Sequence, residues 1–198
     1  MKYRASRRAV LRLAAGTAGV SVLPAFPALA SDPAALVQNV SAEVIELIKS
    51  TSGAAREAGI RKILEQSFDL PFMARSALAT HWEGTNEDLR DRFLKAVVAS
   101  EAKAYSERFG QYGGQSLTVG RVFQRSNGST VVDSRLSQTG GQPIKIEWEL
   151  RGERITDVKI EGVSMVMTRR SDFNSYIQNN GGKVEALVVQ LESRAKAQ

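Results

Sequence analysis

Side chains able to do reactive chemistry are few and scattered in this sequence. The chain holds one histidine, His81, and no cysteine. A lone imidazole excludes a multi-histidine metal centre and leaves a single general base as the enzymatic option. No nucleophile–base pair and no metal-ligand cluster stands at a recognisable spacing. His81 precedes Trp82 at the end of a helical stretch, where a histidine more often serves as a surface or capping residue. The glycine-rich stretches near Gly16 and over 110–114 neither follow a strand nor enter a helix with a Walker lysine, so phosphate-loop chemistry is not expected. The pattern that suits a ligand is of another kind. After Gly162 comes an apolar run, Val163, Met165, Val166 and Met167, which leads into the basic pair Arg169 and Arg170. Methionines fit adaptable apolar surfaces, and a guanidinium beside them can meet a phosphate. The same run also reads as ordinary core.

The elements that position these residues fall into two halves. Asp32 and Pro33 open a first helix with Leu36, Val37, Val40, Val44, Leu47 and Ile48 at helical spacing. A break near Gly53 precedes a second helix carrying Ile60, Ile63, Leu64 and Phe68, and Asp69 caps a third with Phe72 and Met73. Thr85 is the expected cap of the longest helix, whose face includes Leu89, Phe93, Val97 and Tyr105. Four strands are expected at Ser116–Gln124, 130–138, 143–151 and 154–161, separated by Asn-Gly, Gly-Gly and Arg-Gly-Glu turns. Ile144, Ile146, Trp148 and Leu150 alternate with charged residues, the mark of a half-solvated antiparallel strand. Ser171 or Asp172 is the expected cap of a helix with Phe173, Tyr176 and Ile177. Gly181 and Gly182 break it before a last helix with Val184, Leu187, Val188 and Leu191 inward.

Residues 1–30 read as an export leader. Lys2, Arg4, Arg7, Arg8 and Arg12 form a positive head, a mildly apolar stretch follows, and Ala28-Leu29-Ala30 suits cleavage after Ala30. Ser6-Arg7-Arg8-Ala9-Val10-Leu11-Arg12 resembles a twin-arginine signal. The expectation is a periplasmic protein with one domain over 31–198. No later stretch reaches the ~20 apolar residues of a membrane span. The leader holds five of the 27 basic side chains and none of the 21 acidic ones, leaving 22 against 21, a net +1. So balanced a chain lacks the basic field that nucleic-acid binding needs.

The expected architecture is α+β: a four-stranded antiparallel sheet with helices over one face. Pattern alone leaves open whether side chains fill the space between. The segment EGVSMV followed by TRRSDF (residues 161–166 and 168–173) resembles a signature of the MlaC family, the periplasmic phospholipid-binding toluene-tolerance auxiliary proteins. The likeness extends over about 34–191, with the HpnM-like, hopanoid-associated branch of the family as an alternative placement. It implies a curved sheet with an apolar cavity beneath the helices. It also implies a shuttle for phospholipid, with no cofactor. The implied partners are a membrane-anchored MCE protein of an ABC transporter and, for some members, an outer-membrane lipoprotein complex. The expected lipid-binding wall is Phe72, Met73, Phe93, Val97, Tyr105, Val132, Ile146, Trp148, Val163, Met165 and Met167, with Arg170 at the phosphate. Relatives commonly carry Tyr or Lys where Arg169 stands. The competing readings are a hopanoid carrier, a small α+β enzyme using His81, and an interaction module without a cavity.

Overall fold

Helices flank a single sheet in sequence: four before it and two after. The computed structural model describes residues 32–109, 114–137 and 140–197, so the expected leader lies outside the described residues. Helices α1 (Pro33–Ser50), α2 (Gly53–Ser67), α3 (Leu70–Leu78) and α4 (Glu87–Phe109) come first. Strands β1 (Ser116–Gln124), β2 (Thr130–Ser137), β3 (Ile144–Arg151), β4 (Arg154–Ile160) and β5 (Val163–Ser164) follow, then α5 (Met165–Asn179) and α6 (Val184–Lys196).

Local chemistry sets the helix starts. The Asp32 carboxylate accepts the Ala34 amide at 2.9 Å, and Asp69 accepts that of Phe72 at 3.1 Å; a proline sits in the first turn of each helix. At α4 the cap is Asn86, not the expected Thr85. Asn86 Oδ1 accepts the Leu89 amide at 2.9 Å, whereas the Thr85 hydroxyl donates to the His81 carbonyl at 2.7 Å. His81 lies in a 3-10 turn (Ala79–His81), with Nε2 3.0 Å from Asn174 Oδ1, and so ties that turn to α5.

The sheet is a meander, β1-β2-β3-β4-β5, antiparallel throughout. It has five strands where four were expected. The difference lies at Glu161 and Gly162, whose φ angles are +50° and +83°. Positive φ at both central residues is what a tight two-residue hairpin requires, and it pairs Ile160 with Val163. Glu161, which has a Cβ to accommodate there, is held at both ends. Its amide donates to the Lys145 carbonyl at 2.9 Å, and its carboxylate accepts the Lys145 amide. Ser164 then caps α5 by accepting the Met167 amide at 3.1 Å, while Asp157 accepts that of Val166 at 3.2 Å. Helix α5 therefore begins at Met165, and the expected caps Ser171 and Asp172 lie inside it. Bulges between Val119 and Val122 in β1, and at Thr156 in β4 opposite Glu149 and Leu150, bend the ladder.

The buried apolar residues form two clusters. One joins α3 to α6 around Leu78, Phe93, Ile177 and Leu191, with the Phe93 and Phe173 rings edge-to-face at 5.7 Å. The other joins α1 and α2 to the sheet through Val37, Val40, Ile63, Val132, Leu150 and Ile155. Backbone ties complete the frame at the α2–α3 junction. The Asp69 amide donates to the Ile155 carbonyl at 2.8 Å, and Arg154 donates to the carbonyls of Glu65 and Gln66 at 2.9 and 2.5 Å.

One sheet contact has a defined pH dependence. Burial opposes ionisation of Glu149, but the Ser129 hydroxyl at 2.8 Å, the cations Arg125 and Lys159, and Asn127 outweigh it and hold the carboxyl below its usual range. The native state thus favours the ionised form more than the unfolded chain does. The stabilisation is present above the ordinary glutamate value and is lost as pH falls through the lowered native one. Glu149→Gln is expected to cost about 1 kcal/mol at about pH 7, with the deficit closing at a pH below the lowered native value. Urea unfolding of both proteins at the two pH values checks this.

Candidate functional site

A pocket of about 470 Å³ is bordered by both core clusters. Helix α1 contributes Val44, Ile45 and Ile48 to its wall, and α2 contributes Ile60 and Leu64. The sheet side presents Leu117, Leu136, Trp148 and Val158, one from each of β1 to β4. Helices α3, α4 and α5 close the remaining side with Ala77, Val98 and Val166. Each of these elements contributes apolar side chains to the wall.

Half of the residues expected at a lipid wall meet here: Met73, Val97, Tyr105, Ile146, Trp148 and Met165 all line the pocket. The other six do not. Phe93 and Val132 are wholly buried within the two clusters, where neighbours fill the space around them. Phe72 lies under the Arg151 guanidinium, 4.9 Å from its ring centre. Val163 and Met167 are 56% and 54% exposed, because the tight hairpin and the early start of α5 turn them outward. Arg170 is exposed and outside the lining, and its neighbour Arg169 is the one on the wall. The walls from α1 and α2 were missed altogether; their helical spacing signalled a buried face but not an open space opposite it.

The polar groups on the wall divide into two kinds. Most are satisfied by the protein itself. The Ser41 hydroxyl donates to the Val37 carbonyl at 2.7 Å, and that of Thr168 to the Ser164 carbonyl at 2.8 Å. The Trp148 indole N–H donates to Ser134 Oγ at 2.9 Å, and Ser134 donates in turn to the Ile146 carbonyl at 3.2 Å. Glu101 of α4 and Arg169 of α5 form a fork: Nε to Oε1 at 2.5 Å and a terminal nitrogen to Oε2 at 2.9 Å. That hydrogen bonding to Glu101 raises the Arg169 pKa against the opposing effect of burial. Tyr105 and Arg108, one and two turns along α4 from Glu101, also face the pocket. Neither makes a side-chain hydrogen bond or ion pair among the described residues.

Fold and pocket together define an α+β protein with an apolar-lined pocket between sheet and helices. The chain belongs to the MlaC protein family, whose model matches residues 38–193. It is similar in fold to the phospholipid-binding protein from Ralstonia solanacearum solved in complex with a phospholipid. The two share 17% identity at a TM-score of 0.70, over 83% of this chain and 97% of that one. No curated protein matches the chain. Among the described residues no helix is long and apolar enough to cross a membrane.

The Glu101–Arg169 fork joins α4 to α5 beside the void, so it substitutes for packing that the pocket removes. Breaking one partner strands a half-buried charge. Glu101→Gln is expected to destabilise the fold by about 1–2 kcal/mol. Arg169→Met in that background should cost less than in the wild type, giving a coupling near 1 kcal/mol in a double-mutant cycle read by urea unfolding. Strict additivity would show that the fork contributes nothing.

Proposed function

We propose that the chain is a periplasmic phospholipid carrier, the soluble member of an MCE-type ABC transport system. The observation that carries this reading is the apolar pocket between sheet and helices. Its volume falls in the ~300–1,000 Å³ range of small-molecule sites. Membership of the MlaC family and likeness in fold to a protein solved with a bound phospholipid support it. The leader-like residues 1–30 support export.

The mechanism needs no bond chemistry. Burying a methylene is worth about 0.8 kcal/mol, so an acyl chain of ordinary length supplies ample drive to leave water. The bilayer offers the tails nearly the same environment. The carrier's task is therefore to lower the cost of crossing the aqueous gap, and the wall does this by keeping its own polar groups occupied. Ser41, Thr168 and Trp148 spend their hydrogen bonds on the protein and present carbon to the cargo. Loading and unloading are proposed at a membrane-anchored MCE partner, and delivery at an outer-membrane lipoprotein complex.

Protein purified from a periplasmic fraction is expected to release diacyl phospholipid on solvent extraction, read by mass spectrometry. Val97→Trp with Val158→Trp places two indoles in the pocket from α4 and β4 and should cut the bound lipid at least fivefold while circular dichroism stays native. Hopanoid in place of phospholipid would assign the chain to the hopanoid-associated branch. Absence of any lipid from the folded wild type would overturn the carrier reading.

A further inference from the structure

The two polar side chains of the pocket wall without a side-chain partner among the described residues are not scattered. Glu101, Tyr105 and Arg108 recur at helical spacing on one face of α4, with Val97 and Val98 on the turn before them. Along that face the wall changes from apolar to charged. The Tyr105 ring is fixed by stacking on Phe109, with centroids 5.8 Å apart and planes at 22°. Its hydroxyl is left without a partner in a setting that buries most of the side chain. Burial pushes the phenol pKa up and Glu101 pushes it further, while Arg169 and Arg108 pull against them. The group therefore stays a neutral donor, and all three charges act on it. Facing the open pocket, that hydroxyl is a donor available to an incoming acceptor.

We propose that this end of the pocket is a phosphodiester subsite: the Tyr105 hydroxyl and the Arg108 guanidinium bind the phosphate of a diacyl phospholipid, beside Arg169. The proposal rests on the carrier reading and adds the head-group chemistry that reading leaves open. Three charged side chains line the pocket, Glu101, Arg108 and Arg169; Glu101 and, at 3.4 Å, Asp172 both pair with Arg169, which leaves Arg108 as the lining cation without an ion-pair partner among the described residues. A phosphodiester brings one negative charge and two free acceptor oxygens, which matches one guanidinium and one hydroxyl. Glu101 occupies two donors of Arg169 and holds the fork in place. Arg108 is exposed and has no such claim on it, so it is the cation free to engage. Arg170, the phosphate ligand expected from sequence, is outside the lining and takes no part.

The test offers the purified, delipidated protein vesicles holding equal amounts of dioleoylphosphatidylglycerol and dioleoylglycerol, which share tails and differ in the phosphate. Lipid bound to the protein is then counted by mass spectrometry. Wild type is expected to prefer the phospholipid about tenfold. Arg108→Gln and Tyr105→Phe, the latter keeping the ring stack, should each lower that ratio about three- to tenfold. A wild type that loads both lipids equally, or variants with an unchanged ratio, would overturn the subsite and leave the carrier intact. Failure to load either lipid would overturn both. Inorganic phosphate alone, titrated by calorimetry, is expected to show no saturable binding, because the tails supply most of the affinity. Saturable binding lost in Arg108→Gln would assign the subsite to the free ion and overturn the lipid assignment.

Discussion

The structure depends on an apolar interior that does not close. Protein cores ordinarily pack to crystal-like density, and each unfilled space forfeits dispersion contacts along its lining. Here about 470 Å³ borders both apolar clusters, so the helices cannot rest on the sheet across its whole area. What remains is closure at the margins. The α2–α3 junction is joined to β4 by the Asp69–Ile155 backbone bond and by Arg154 on two helical carbonyls. Helices α4 and α5 are joined by the Glu101–Arg169 fork. Directional contacts of this kind hold a fixed separation, which non-directional apolar contact cannot do.

Residues 161–167 show how much can be packed into a short stretch of chain. Glu161 and Gly162 make a hairpin that only two positive φ angles permit, Val163 and Ser164 pair with β4, and Ser164 immediately caps α5. The chain passes from the end of β4 to the start of α5 in four residues. That economy fixes where α5 stands over β4 and places Met165, Val166 and Arg169 on the pocket while Val163 and Met167 face outward. Asp157 reinforces the joint by capping from the sheet side. The compactness is a matter of geometry: lengthening the turn would rotate the helix face that completes the wall.

Much of the fold was legible in the sequence because its signals are local. Asp32-Pro33 and Asp69 announce helices through an acceptor and a fixed φ, and the alternation of Ile144, Ile146, Trp148 and Leu150 announces a strand. The misreadings came where one residue could play two parts. Thr85 and Asn86 are both capping types, and Thr85 is drawn off by the His81 carbonyl. Ser164 lies inside an apolar run, and Ser171 or Asp172 was expected as the α5 cap in its place. The site was harder for a different reason. Periodicity identifies which face of an element avoids water but says nothing about the distance to the next element. Phe93 and Val97 lie one turn apart on the same helix; one is enclosed by α5 and α6, the other looks into the void. The same limit hid the contribution of α1.

The distribution of satisfied and unsatisfied polar groups says more about the pocket than its carbon does. Any loosely packed α+β core could hold an apolar gap, but such a gap has no reason to sort its polar atoms. Here the hydroxyls of Ser41 and Thr168 and the Trp148 indole are bonded inward, and the Glu101–Arg169 charges are paired. The unpartnered Tyr105 and Arg108 sit together toward one end of α4. A cargo with two chemically distinct ends matches that polarity, since its apolar part meets carbon and its polar part meets unspent donors. A wholly apolar molecule would leave the Tyr105 hydroxyl desolvated without an acceptor, a cost of about 1–3 kcal/mol. A wall sorted in this way suits an amphiphile better than a plain hydrocarbon, in keeping with the phospholipid cargo proposed above.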